Sequence, residues 1–239
     1  MAKGCDYAWG RPNLSALRQQ GITFACRYLS YDRTGKNLSR DEANRLLGSG
    51  INVVSNWEWG EKDAAAGFAR GAQHAHDANF QHFACGGPGN APIYFSVDYD
   101  AQPIDYHGIA GYFDGVASVI GVARTGVYAG FPVASMLWSS SRVRWIWQTT
   151  AWSRGQRHPQ TSIYQHQYNL WIGGGQVDID ESYGANYGQW GAPAPGAPEI
   201  EPNRGSTDLA TPFRLLGEYS ATIGDGLQGL AHRAIDLIR

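Results

Sequence analysis

Between residues 4 and 190 the sequence switches repeatedly between short strand-like runs and helix-like stretches. That alternation restricts the chain to α/β architectures. Strands are predicted at Gly4–Trp9, Thr23–Leu29, Ile51–Glu58, Ile93–Tyr99, Arg124–Tyr128, Arg144–Thr149, Ser162–Tyr168 and Val177–Glu181. Asn13 is a predicted N-cap for Leu14–Gln20, with Gly21 just beyond. Ser39-Arg40-Asp41-Glu42 reads as a capping box opening Asp41–Leu47. Ala64–Asn79 and Ile104–Ile120 are long enough for crossover helices, and Phe131-Pro132 starts a shorter helix towards Trp138. Eight strands in this span fit a closed, parallel (β/α)8 barrel of the TIM type. The connections 151–161 and 169–176 are too short and too rich in Gly, Pro and polar residues for crossover helices, so the barrel is expected to be degenerate there. A doubly wound nucleotide-binding sheet is disfavoured. No GxGxxG follows the first strand, and Gly86-Gly87-Pro88-Gly89 precedes a strand instead.

Composition narrows the function classes. The 239 residues include 17% charged and 13% aromatic side chains, 31 glycines and 9 tryptophans. Few charges with many aromatics argue against disorder, and no apolar run approaches the roughly 20 residues of a membrane span. The formal charge of −2 offers no broad basic surface for nucleic acid. Cys5, Cys26 and Cys85 are too few and too scattered for a disulfide framework or a metal knuckle, and are expected to be buried thiols. The amino terminus lacks the apolar core of a secretory signal, so action outside a cell would require delivery by a non-Sec route. Residues 1–190 are read as one domain and 191–207 as a Pro/Gly-rich linker. Residues 208–239 are read as a C-terminal helix for docking or assembly, including self-assembly. Its apolar positions Leu216, Tyr219, Ile223, Leu227, Leu230, Ala234 and Leu237 approach a heptad seam.

In a parallel barrel, functional groups gather at the carboxyl ends of the strands. Reading those ends gives Asp6, Arg27, Glu58, Asp98 with Asp100, Tyr128, Gln148, Gln165 with Gln167, and Asp178 with Asp180. Packing alone would favour Val, Ile and Leu at such positions. Trp57, Trp59 and Tyr99 flank the carboxylates. In Ile93-Tyr94-Phe95-Ser96-Val97-Asp98-Tyr99-Asp100, strand alternation places Asp98 and Asp100 on one side, facing the barrel mouth. Close carboxylates resist simultaneous ionisation, so one stays protonated near neutral pH and can act as an acid. Glu58 brings a third carboxylate. Carboxylates among aromatic rings suit a carbohydrate, and glycoside hydrolysis needs such a pair. A magnesium or calcium site on Asp98, Asp100 and Asp178 is the rival reading for the same residues, and no metal or other cofactor is assigned. A non-catalytic glycan-binding barrel is the rival from another class.

These strand ends resemble the glycoside-hydrolase-like barrels related to family 25 lysozymes, and more closely the actinobacterial and phage group called domain of unknown function 1906. The resemblance covers roughly residues 3–190. It rests on Gly4-Cys5-Asp6-Tyr7, Phe24-Ala25-Cys26-Arg27-Tyr28-Leu29, Tyr94-Phe95-Ser96-Val97-Asp98-Tyr99-Asp100, Gly126-Val127-Tyr128, Trp147-Gln148 and Val177-Asp178-Ile179-Asp180. The resemblance implies cleavage of peptidoglycan between N-acetylmuramic acid and N-acetylglucosamine, by a phage lysin or a virion-associated component. It also implies an Asp-x-Glu pair on the fourth strand with the glutamate as proton donor; here the second position is Asp100, one methylene shorter. The expected catalytic set is Asp98 or Glu58 as acid and Asp100 as base or electrostatic partner. Asp6 and Asp178 would orient sugar and water. Arg27, Trp57, Trp59, Tyr99, Tyr128, Gln148, Gln165, Gln167 and Asp180 are the other expected substrate contacts.

Overall fold

The computed structural model describes residues 1–191. The expected helix over 208–239, and the linker beyond Gly191, lie outside the described residues. Eight strands close into a barrel in sequential order: β1 (Lys3–Asp6), β2 (Ile22–Leu29), β3 (Asn52–Trp57), β4 (Ile93–Ser96), β5 (Thr125–Ala129), β6 (Trp145–Thr149), β7 (Ile163–Ile172) and β8 (Gly175–Ser182). Between them run α1 (Leu14–Gln19), α2 (Arg40–Gly48), α3 (Phe68–Cys85), α4 (Tyr106–Ile120) and α5 (Phe131–Ser139). The chain is therefore a TIM-like α/β barrel that has lost its last crossover helices.

Local chemistry sets most boundaries. The Asn13 side chain accepts from the Ala16 amide at 3.1 Å and the Ser39 hydroxyl from the Glu42 amide at 3.2 Å, each satisfying a free N–H of a helix start. Only half of the expected capping box forms, because the Glu42 carboxylate turns inward to Arg27 at 2.8 Å. Gly86, at φ 99°, closes α3 in the left-handed region.

The eighth strand departs from an all-parallel barrel. Strands β1 to β7 pair in parallel, but β8 runs antiparallel to both β7 and β1. Parallel neighbours need a long crossover, whereas antiparallel ones can be joined by a two-residue turn. Gly173 and Gly174, at φ 57° and 83°, make that turn between Ile172 and Gly175.

Alternate strand residues build two apolar layers. Phe24, Cys26, Val54, Tyr94, Tyr128, Trp147 and Ile163 fill the barrel, joined from one end by Tyr187. Gly4 and Gly126 make room in this layer, since a Cβ at either would collide with the Phe24 or Tyr94 ring. Residues of the other parity, including Cys5, Ala25, Leu29, Val53, Trp57, Phe95 and Ile146, pack outward beneath the helices. All three cysteines are buried and free. Helices α3 and α4 cross backbone to backbone: a Cβ on Gly71 would overlap the Tyr112 carbonyl, and one on Gly115 the Phe68 carbonyl. Replacing Gly71 with alanine should therefore force the helices apart and lower stability by about 1–3 kcal/mol, despite alanine's better helix propensity. Urea unfolding of Gly71→Ala against wild type measures this.

Candidate active site

The reversal of β8 assembles the acidic centre. Antiparallel pairing sets Asp178 opposite Asp6 at the carboxyl end of β1, and Asp180 opposite Gly4, one layer deeper. Asp6 is buried; its Oδ1 accepts from the Tyr28 hydroxyl at 2.8 Å and its Oδ2 from Gln165 Nε2 at 2.7 Å. The other end of Gln165 accepts from the Tyr128 hydroxyl at 2.8 Å, which holds the amide in place. Burial and the neighbouring Asp178 charge push the Asp6 pKa up to about 7, against the two hydrogen bonds that favour its ionised form. Asp178 accepts from the Asn169 amide at 2.7 Å, and burial raises its pKa as well. Asp180 is fully buried, with Oδ1 accepting from Trp147 Nε1 at 2.8 Å. Burial and the Asp6 charge hold its pKa well above the ordinary range.

Two further carboxyl groups complete the mouth. Glu58, just past β3, forms an ion pair with Lys36 at 2.5 Å and accepts from the Ser96 hydroxyl at 3.1 Å. Asp98, beyond the end of β4, is open to solvent and has no hydrogen-bond or ion-pair partner among the described residues. Partial desolvation and the Glu58 charge push its pKa up to about 6. Lys36 lies 4.7 Å from the centre of the Tyr28 ring and 5.8 Å from that of Trp9, and Trp9 and Trp59 are 59% and 50% exposed. The Trp9 and Tyr28 rings thus stand beside the Lys36–Glu58 pair, close to carboxyl groups whose proton affinity burial raises. That combination can bind a sugar and deliver a proton to it.

Several expected contacts face elsewhere. Asp100 does not pair with Asp98. Strand β4 stops at Ser96, so two-residue alternation no longer applies, and Asp100 is an exposed loop residue whose backbone carbonyl accepts from Gln102 Nε2. Arg27, Trp57 and Gln148 have the wrong parity and point away from the barrel interior. Arg27 is fully buried against Glu42, donates to the Tyr7 carbonyl and lies 4.2 Å from the Tyr7 ring centre. Trp57 packs among Tyr31 and His74. Gln148 braces the 153–161 loop through Ser153, Gln156, His158 and Thr161. Tyr99 is buried in the outer layer, and Gln167 is exposed on the β7–β8 hairpin.

Asp6, Glu58, Asp98, Tyr128, Gln165, Asp178 and Asp180 do converge. Tyr28, Lys36 and Ser96 belong with them and were missed from sequence. Tyr28 and Arg27 are equal candidates in the sequence; the register of Asp6 with Cys26 puts residues 24, 26 and 28 on the inner face and leaves Arg27 outside. Lys36 carries no periodic signal, because it reaches the site from a loop. Among the described residues no group of three or more His, Cys, Asp or Glu is arranged to hold a metal ion.

Comparison with known proteins identifies the family of the domain. The profile of the Rv2525c-like, glycoside hydrolase-like domain matches residues 15–184. The chain belongs to this family. It is 34% identical over 197 residues to the Mycobacterium tuberculosis protein named "Putative peptidoglycan hydrolase Rv2525c", covering 77% of this chain and 82% of that one. A crystal structure of that Tat-secreted mycobacterial protein in complex with L-tartrate superposes with a TM-score of 0.74 at 33% identity, over 79% of this chain and 98% of the other. The modular autolysin LytC of Streptococcus pneumoniae shares the fold at 16% identity and a TM-score of 0.53, over 76% of this chain and 46% of that one.

Two outcomes follow from the buried charges. Glu42 also pairs with Arg11 at 3.1 Å and accepts from the Tyr7 hydroxyl at 3.0 Å. Glu42→Ala would strand Arg27 as an uncompensated buried cation, and urea titration should show a loss of roughly 3–5 kcal/mol. The aspartate cluster sets a pH dependence. Its carboxyls bind protons more tightly folded than unfolded, so they lower stability as pH rises from the ordinary carboxylate range through about 7. Thermal unfolding across pH 4–8 should show this decline, with a shallower slope in Asp180→Asn.

Proposed function

We propose that the protein is a glycoside hydrolase acting on the glycan strands of bacterial peptidoglycan. The observation that carries this reading is the division of labour at the mouth. Asp98 holds a proton up to about pH 6 and has no hydrogen-bond or ion-pair partner among the described residues, while Glu58 beside it is tethered as an ion pair with Lys36. In this reading Asp98 donates its proton to the glycosidic oxygen as the bond to the anomeric carbon breaks. Glu58, positioned by Lys36 and Ser96, faces the positive charge that develops on the sugar ring; once the leaving sugar departs with the Asp98 proton, water adds to the anomeric carbon and its proton returns to the Asp98 carboxylate. Asp6 and Asp178, held by Tyr28, Gln165 and the Asn169 amide, orient hydroxyl groups of the bound sugar. Trp9 and Trp59 supply faces for sugar C–H groups. Asp100 has no part in this assignment.

The wall substrate is supported by the name of the mycobacterial relative. The lysozyme-like strand motifs support the bond between N-acetylmuramic acid and N-acetylglucosamine as the one cleaved. A wall substrate places the action outside the cytoplasmic membrane. A phage or virion setting draws no support from the mycobacterial likeness, whose protein is Tat-secreted.

Purified peptidoglycan should release reducing ends with wild-type protein, and Asp98→Asn should lower the rate by about a hundredfold or more. Activity should fall as pH rises above about 6, where Asp98 loses its proton. Equal rates for wild type and Asp98→Asn would remove Asp98 as the acid. Wall binding with no reducing ends from the wild type would replace the enzyme by a glycan-binding barrel.

A further inference from the structure

The connection from β6 to β7, residues 150–162, has no helix. Among the described residues, it leaves uncovered the flank between α5 and the rim of the barrel opposite the carboxylate mouth. A cavity of about 370 Å³ opens there, lined by Trp138, Arg144, Trp145, Gln160, Ser162 and Tyr183 among others. Trp145 begins β6, Ser162 precedes β7 and Tyr183 follows β8, which fixes the cavity at that far rim. The three aromatic residues are neither buried nor fully exposed. The Trp145 indole is locked by its Nε1 bond to the Ala123 carbonyl at 2.9 Å.

The charge at this groove is also unspent. Arg144 is exposed, its guanidinium 5.9 Å from the centre of the Trp138 ring, and it makes no ion pair within the described residues. The Arg157 guanidinium lies 4.4 Å from the Tyr183 ring centre and is likewise without an ion pair there. The nearby acid Glu181 accepts from the Tyr183 hydroxyl at 3.2 Å. Partly open rings, one of them locked, with an exposed guanidinium and amide and hydroxyl groups form a saccharide platform with an anion fork. An apolar helix would leave these polar groups desolvated and unpaired.

We propose that this groove is a second glycan-binding site. It takes a saccharide segment that bears carboxylates and holds the protein on the polymer while the mouth works on another stretch. The wall glycan as ligand rests on the function proposed above. In the groove the sugar faces lie on Trp138 and Trp145, and the carboxylate meets Arg144.

The test uses the full chain and insoluble peptidoglycan stripped of phosphodiester polymers with hydrofluoric acid, in a pelleting assay on the Asp98→Asn background. Arg144→Glu and, separately, Trp138→Ala should weaken binding at least about fivefold. Both should leave hydrolysis of a short soluble glycan unchanged in the otherwise wild-type chain. Trp138 is partly buried, so Arg144→Glu, a surface change, carries the result if the tryptophan variant fails to fold. In a second measurement, N-acetylglucosaminyl-N-acetylmuramic acid with a free carboxylate should shift the Trp138 and Trp145 indole NMR signals, and chitobiose should shift them less. Unaltered pelleting of Arg144→Glu overturns the site. Binding that disappears once phosphodiester polymers are stripped overturns the carboxylate assignment. Pelleting that depends on Arg144 without any turnover by wild type sinks the glycosidase reading and leaves the groove standing.

Discussion

Antiparallel closure between β8 and β1 is the constraint on which the acidic centre depends. Because β8 returns through the Gly173–Gly174 turn, its residues meet β1 in reverse order, and Asp178 and Asp180 are carried to Asp6 and just beneath it. Three carboxyl groups in so small a volume cannot all ionise without large repulsion and desolvation costs. Tyr28, Gln165 and Trp147 donate hydrogen bonds to the cluster, and retained protons supply the remaining neutralisation. The fold thus builds a proton-holding floor beneath a mouth where Asp98 and Glu58 stand in different surroundings.

A second dependency runs from the outer core to the mouth. Arg27 is buried with Glu42, and its Nη2 also donates to the Lys36 carbonyl at 3.1 Å. Arg11 donates to the Gly35 and Asn37 carbonyls, and Asp32 accepts from the Thr34 and Lys36 amides, each at 2.9 Å. The 30–38 loop is therefore fixed at both its buried and open sides, and Lys36 is presented to Glu58. A residue read as a sugar contact from sequence instead acts one layer behind the site. It trades a place at the mouth for control over a loop that reaches it.

The loss of crossover helices after β6 shapes both ends of the barrel. At the mouth end, the β7–β8 hairpin supplies Asp178 and lifts Trp171, 74% exposed, into solvent. At the far rim the helix-free β6–β7 connection opens the aromatic groove with Arg144. The economy of the last third of the barrel is thus accompanied by a helix-free, partly open aromatic surface.

Alternating strand and helix periods, caps at Asn13 and Ser39 and the shortness of 169–176 were legible in the sequence, because each is a local property of the backbone. Asp6, Glu58, Asp98, Gln165, Asp178 and Asp180 were legible as strand-end polar residues with little reason to be there for packing. Parity was not. Residues 27 and 28 are equally plausible neighbours until register with β1 decides that Tyr28 faces inward and Arg27 outward. The sequence by itself determined an α/β barrel with carboxyl groups at strand ends. Only the tertiary structure decided which of them meet, since strand direction, the end of β4 at Ser96 and the reach of Lys36 depend on hydrogen-bond pairing between segments far apart in the chain.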